Sequence, residues 1–165
     1  MKQALAMRGK IVAWALAATL AGAGLARAAE IVPLAHDLRQ DAAQARSLKV
    51  PVMLIFVSDQ CGYCKRVLEE FVRPLTRLPE YRHKVLMRRI QTSSPVALRD
   101  FDGSMTTHGH FALDHDIHLV PTIALLDADG GMAVKPLVGL STPDYYGYYL
   151  DQRIDQALAK IRGGP

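Results

Sequence analysis

Cysteine is scarce in this 165-residue chain: there are only two, which excludes a small scaffold stapled by several disulfides. Long apolar runs are scarce too. The longest spans residues 11–25, and its 15 residues fall short of the roughly 20 that cross a bilayer, so a polytopic membrane protein is excluded. Acidic residues are missing from the first 28 positions, where Lys2, Arg8, Lys10 and Arg27 stand unopposed. Those four account for the whole formal net charge of +4, since the remaining 16 basic residues meet 16 acidic ones. Without them the chain lacks the electrostatic footprint of a nucleic-acid binder. What is abundant is apolar side chain, at 50% of residues, which is too much for a disordered chain and enough for one packed core.

The basic N-terminus, the apolar run and the small residues of Ala26-Arg27-Ala28 follow one another in the order of a secretory signal peptide. The pattern predicts a signal over residues 1–28, cleaved near Ala28, and one domain over residues 29–165 in an oxidising compartment, the periplasm. An uncleaved anchor is the alternative. Trp14, the only tryptophan, would leave with the signal.

Within the remaining chain, Leu38, Ala42, Ala45 and Leu48 recur at helical spacing behind Asp37, an N-cap candidate. Residues 52–57 are a continuous apolar run with β-branched members, which predicts a strand buried on both faces. A second helix is expected from Cys64 through Leu75, with Pro74 kinking or ending it. A strand follows over residues 85–91. Residues 92–109, rich in Ser, Thr, Asp and Gly, read as a surface excursion with a short helix around 96–100. A short helix over 110–117 and a strand over 122–126 come next. Residues 132–138 form the hairpin partner of that strand, with Pro136 marking a sheet edge. The last helix starts at Thr142-Pro143-Asp144 and runs to Ile161. The order α-β-α-β-α-β-β-α predicts an α/β fold, a mixed sheet of four to five strands with helices on both faces.

Both cysteines lie in Cys61-Gly62-Tyr63-Cys64, directly after the buried strand and in the first turn of the next helix. Side chains at i and i+3 on a helix are neighbours, so a disulfide closes locally. A thiolate at a helix N-terminus is stabilised by free N–H groups and the macrodipole, and in such motifs the thiol pKa drops from about 8.5 to roughly 3.5–7.5. Cys61 is therefore the expected nucleophile and Cys64, one turn deeper, the resolving thiol. A structural staple across so short a loop stabilises little, and a zinc site needs ligands that no other cysteine supplies. Two thiolates could hold Cu(I). Export together with a lone C-x-x-C favours redox chemistry.

These residues resemble the thioredoxin family, in particular the small exported thioredoxin-like proteins of Gram-negative bacteria. Phe56 to Lys65 is similar to the family's strand, active-site loop and helix. Val120-Pro121-Thr122 resembles its cis-proline loop, and Asp129-Gly130-Gly131, Val138-Gly139-Leu140-Ser141 and the final helix resemble its closing elements. The resemblance implies a cis Pro121 beside Cys61, a Val120 backbone that receives an extended substrate segment, and Tyr63 as a substrate contact or surface packing. The family's buried acid, six residues before the first cysteine, is replaced by Ile55, and its flanking aromatic positions hold Val57 and Gln60. Asp59 reads as a loop or capping acid. The Gly-Tyr pair is similar to periplasmic disulfide isomerases, whereas Val120 before the proline is similar to the periplasmic oxidases.

His108, His110, His115 and His118 cluster within eleven residues, with His115 and His118 expected on one helix face. Solvated histidines are favoured over a metal site there. His118, three residues before Pro121, is a candidate proton-transfer group. The expectation is thus a monomeric, exported oxidoreductase that reduces substrate disulfides through Cys61 and Cys64. It needs no metal and no cofactor beyond that redox-active disulfide. Its partners are disulfide-containing exported proteins and a membrane electron donor. The alternatives are a disulfide oxidase or isomerase of folding proteins, or a copper or peptide carrier.

Overall fold

The computed structural model describes residues 31–163, so the expected signal peptide and its cleavage site lie outside the described residues. Helix α1 (Leu38–Leu48) begins where Asp37 accepts the Gln40 N–H at 2.8 Å and ends at Lys49, in the left-handed region. Strand β1 (Val52–Val57) follows, then α2 (Gly62–Arg66), a π-helical stretch (Val67–Val72) and α3 (Arg73–Arg77). A 3-10 turn (Pro79–His83) leads to β2 (Leu86–Gln91), β3 (Ala97–Arg99) and β4 (Met105–Thr107). Helix α4 (His108–Asp114), β5 (Thr122–Leu126), β6 (Leu137–Val138) and α5 (Pro143–Ile161) complete the chain.

The main sheet has the order β2-β1-β5-β6, with β1 parallel to β2 and antiparallel to β5. The unbroken apolar run of β1 is explained by its central place. Val52, Leu54 and Phe56 face the core under α1 and α4, while Met53, Ile55 and Val57 face the core shared with Cys64, Val67, Tyr146 and Leu150. Successive side chains point to opposite faces, so a strand with a helical layer on each side must be apolar at every position. The α/β class and the mixed four-stranded sheet agree with the pattern read from the sequence.

Five local readings are corrected. The expected helix at residues 96–100 is a strand, β3, paired with β4 in a separate two-stranded sheet. This excursion is also not wholly superficial, because Leu98 and His108 are fully buried against the α1 side of the core. The strand expected over 132–138 is interrupted: Leu126 bridges Met132 and Ile123 pairs with Leu137, so four residues of the outer strand face two of the inner one. Pro136, with no N–H to give, lies in that bulge. Pro74 does not end the helix. The helix widens beforehand, with the Arg73 N–H reaching back to the Leu68 carbonyl, and continues through the proline to Arg77. In a straight α-helix the proline ring would press on the carbonyl of Glu70, and the wider turn precedes that position. Finally, Thr142 precedes α5 but makes no side-chain cap bond.

Two buried polar groups behave differently. Asp41 on α1 accepts two bonds from Arg88 on β2, at 2.6 and 3.0 Å, yet burial outweighs the guanidinium and pushes its carboxyl above the usual range. That pair fixes the helix against the sheet rather than adding much stability. Tyr146 is 1% exposed and packs on Phe71, and its hydroxyl has no hydrogen-bond partner among the described residues. A buried unpaired hydroxyl is a cost, so Tyr146→Phe is expected to stabilise the domain by about 1 kcal/mol in urea unfolding. A loss of stability would show that the hydroxyl is satisfied.

Candidate active site

Strand pairing assembles the site. In the antiparallel ladder Phe56 faces Thr122, and in the parallel ladder Val57 faces Gln91. The loop that leaves β1 is therefore flanked by the segment entering β5 on one side and by the last residue of β2 on the other. Cys61 and Cys64 are joined in a disulfide with their Cα atoms 5.2 Å apart. Cys61 is the N-cap of α2, and its sulfur accepts the Cys64 N–H at 3.0 Å. Cys61 is partly exposed, whereas Cys64 is 2% exposed and belongs to the core. One sulfur meets solvent at a helix N-terminus and the other is sealed behind it.

The Val120–Pro121 peptide bond is cis, and Cys61 Sγ lies 3.8 Å from the Val120 carbonyl oxygen. The loop is tied by Thr122 Oγ1 donating to the Leu119 carbonyl at 2.8 Å and by the Gly139 N–H donating to the Pro121 carbonyl at 2.7 Å. Gly139 sits at φ +71°, where a side chain is disfavoured. Pro121 is buried, while Tyr63 and Leu119 are each 65% exposed. The sequence candidates Cys61, Cys64, Val120 and Pro121 are thus brought together, with Tyr63 on the rim between the two cysteines.

His118 is placed elsewhere. Its side chain is 71% exposed and approaches Asp116 at 3.9 Å, in a depression lined by Thr122, Pro136 and Val138 and not in the one beside Cys64. Helix α4 ends at Asp114, so His115 and His118 do not share a helix face; the His115 ring packs on Phe111 instead. Among the described residues no group of three His, Cys, Asp or Glu side chains is arranged to hold a metal.

His108, read from the sequence as one of several solvated histidines, is also placed differently. It is fully buried, its Nδ1 accepts the Gln91 N–H at 3.0 Å, and its Nε2 lies 2.8 Å from the Ala35 carbonyl and donates to it. This geometry requires a neutral ring. Burial pushes its pKa below the ordinary 6.5, helped by the nearby charges of His36 and Arg89 and opposed by the Ala35 bond. A histidine depressed on folding contributes its full stability above the unfolded value and loses it as pH falls below about 6.5 toward the folded one. The urea midpoint is expected to drop between about pH 7 and 5, with a shallower drop in His108→Gln. Equal slopes would remove His108 from the account.

Asp59, read from the sequence as a loop or capping acid, does not cap α2, whose N-cap is Cys61. Asp59 Oδ1 accepts from Gln91 Nε2 at 2.6 Å, and both residues line a cavity of about 220 Å³ beside the disulfide. A contact across 32 positions of sequence leaves no local signal.

The family model of a thioredoxin-like domain matches residues 38–159. The chain belongs to the thioredoxin-like family. With its C-x-x-C disulfide it is a thiol–disulfide oxidoreductase. Similar solved structures include thioredoxin O2 from Arabidopsis thaliana, at 16% identity and TM-score 0.50 over 76% of this chain and 92% of that one. Mitochondrial thioredoxin 3 from Saccharomyces cerevisiae has 14% identity and TM-score 0.49 over 75% and 93%. The periplasmic thioredoxin SoxS from Paracoccus pantotrophus has 21% identity and TM-score 0.45 over 65% and 98%. These likenesses concern the fold. No curated protein matches the chain in sequence.

Proposed function

We propose that this thioredoxin-like domain is exported to the periplasm and reduces disulfides of exported proteins there. The observation that carries the reading is the inequality of the two sulfurs: Cys61 caps α2 at the surface and receives an N–H, while Cys64 is buried behind it. In the dithiol form Cys61 is the attacking thiolate, stabilised by the Cys64 N–H and the start of α2. It opens a substrate disulfide and forms a mixed disulfide. Cys64 then attacks Cys61 Sγ, closes the Cys61–Cys64 bond and releases the reduced substrate. Two electrons pass from the dithiol to the substrate.

The extended Val120 backbone receives the substrate segment next to Cys61, Pro121 keeps the loop against the sulfur, and Tyr63 contacts the substrate from the rim. No metal and no cofactor other than the disulfide takes part. A monomer suffices, because all the groups named come from one chain. Export is supported by the basic, apolar and small-residue order of residues 1–28. In an oxidising compartment the disulfide needs a membrane electron donor to be reduced again. Reduction is preferred to folding-linked oxidation or isomerisation because the only insertion between β2 and α4 is the short β3–β4 hairpin. The test is catalytic turnover of a model protein disulfide with a chemical thiol donor. Multiple turnovers per protein are expected, and stoichiometric binding without turnover would identify a carrier instead.

A further inference from the structure

The resolving step needs a proton to leave Cys64, and nothing in the reading above accepts it. Cys64 is 2% exposed, and position 55, where related domains keep an acid, is a fully buried isoleucine in the core beside it. The cavity beside the disulfide supplies the polar groups instead. Facing Cys61 and Cys64 there are Asp59 from the loop, Lys65 and Glu69 from the helix, and Arg89 and Gln91 from β2.

The two carboxylates that the described residues bring to it are not equivalent. Glu69 is bound to the Arg73 guanidinium through bonds of 2.7 and 2.8 Å, which hold its carboxyl below the usual carboxylate range. Asp59 instead has a neutral partner, the Gln91 side-chain amide at 2.6 Å. Gln91 is itself fixed, paired with Val57 in the ladder and donating its backbone N–H to His108 Nδ1. One oxygen of Asp59 is therefore held by a rigid strand.

We propose that Asp59 is the proton acceptor for Cys64 in the resolving step, with Gln91 as the positioning residue that aims it into the shared cavity. This rests on the reading of Cys61 as attacking and Cys64 as resolving thiol. The Cys64 S–H gives its proton to the Asp59 carboxylate across the solvent of the cavity. The Cys64 thiolate then forms a bond to Cys61 Sγ as the bond from Cys61 to the substrate sulfur breaks. The substrate leaves as a thiolate and is protonated by Asp59 or by water, so protons and electrons balance. The signature is a pH dependence confined to the second half of the reaction.

The experiment mixes the reduced protein with dithiobis(nitrobenzoate) in stopped flow. The first equivalent of coloured thiolate follows attack by Cys61, and the second follows release by Cys64. Asp59→Asn is expected to slow the second phase about tenfold near pH 6–7 and to approach the wild-type rate above about pH 9, where a thiol ionises unaided. The first phase should change by less than about twofold, since Asp59 only weakly opposes the Cys61 thiolate. Gln91→Leu should show part of the same loss, and the double variant no more than Asp59→Asn. His118→Ala should leave both phases unchanged. A wild-type second phase in Asp59→Asn near neutral pH, or slowing by one factor at every pH, overturns the proposal. Absence of any second phase in the unmodified protein overturns the assignment of attacking and resolving thiols, and this inference with it.

Discussion

A Cys64→Ala variant is expected to accumulate a stable covalent complex with a disulfide substrate through Cys61, and Cys61→Ala is expected to accumulate none. Turnover should fall to the uncatalysed background in both. The asymmetry follows from position. Cys61 caps α2, meets solvent and lies 3.8 Å from the Val120 carbonyl, so a substrate sulfur can reach it. Cys64 is 2% exposed and has no such approach. Once Cys61 carries a mixed disulfide, the nearest attacking sulfur is Cys64, with Cα atoms 5.2 Å apart in the disulfide state. Removing it leaves hydrolysis or an external thiol as the only exits, both slow. Non-reducing electrophoresis reads the result directly. Equal trapping by the two variants would reverse or abolish the assigned roles.

Phe56→Ala is expected to have the largest effect on stability. The side chain is fully buried in the core beneath α1 and α4 and stacks on Phe111 with ring centroids 6.2 Å apart. Truncating a buried phenylalanine costs about 3–5 kcal/mol, because transfer energy is lost and a cavity remains. Domains of this size are stable by only about 5–15 kcal/mol, so a large share of the total is at stake. The expected fall in Tm is roughly 10–20 °C. Because Phe56 points away from the face that carries Cys64, the variant below its transition should still trap substrate when combined with Cys64→Ala. A loss of trapping at temperatures where circular dichroism remains native would mean that the two cores are coupled more closely than the packing indicates.

The features legible in the sequence were those set by near neighbours or by a strong period. The apolar run of β1, the C-x-x-C at a helix start, the proline before β5 and the amphipathic stripe of α5 each carry their reason within a few residues. That is why Cys61 and Cys64 could be set at the start of a helix directly after β1, whereas a place for Pro121 beside them came from the family resemblance and not from any local period. What escaped reading depended on distant partners. Strands β3 and β4 have three residues each and only Leu98 is buried in them, too little for an alternation to register. His108 looked like one of several solvated histidines, but its two ring nitrogens serve Gln91 and Ala35, 17 and 73 positions away. The Asp59–Gln91 contact arises because parallel pairing sets Val57 beside Gln91, and no periodicity announces a parallel register. The widened turn ahead of Pro74 is a case where the residue was informative and the structural answer was not, since a proline's clash is relieved in more than one way.

The central claim is that Cys61 and Cys64 form a reducing dithiol, and the most direct measurement is its equilibrium reduction potential in the purified domain, titrated against a defined thiol buffer. The account predicts a value near about −270 mV, that of a reductase which depends on an electron donor. A value between about −120 and −180 mV would contradict it and identify a catalyst that oxidises or isomerises folding substrates.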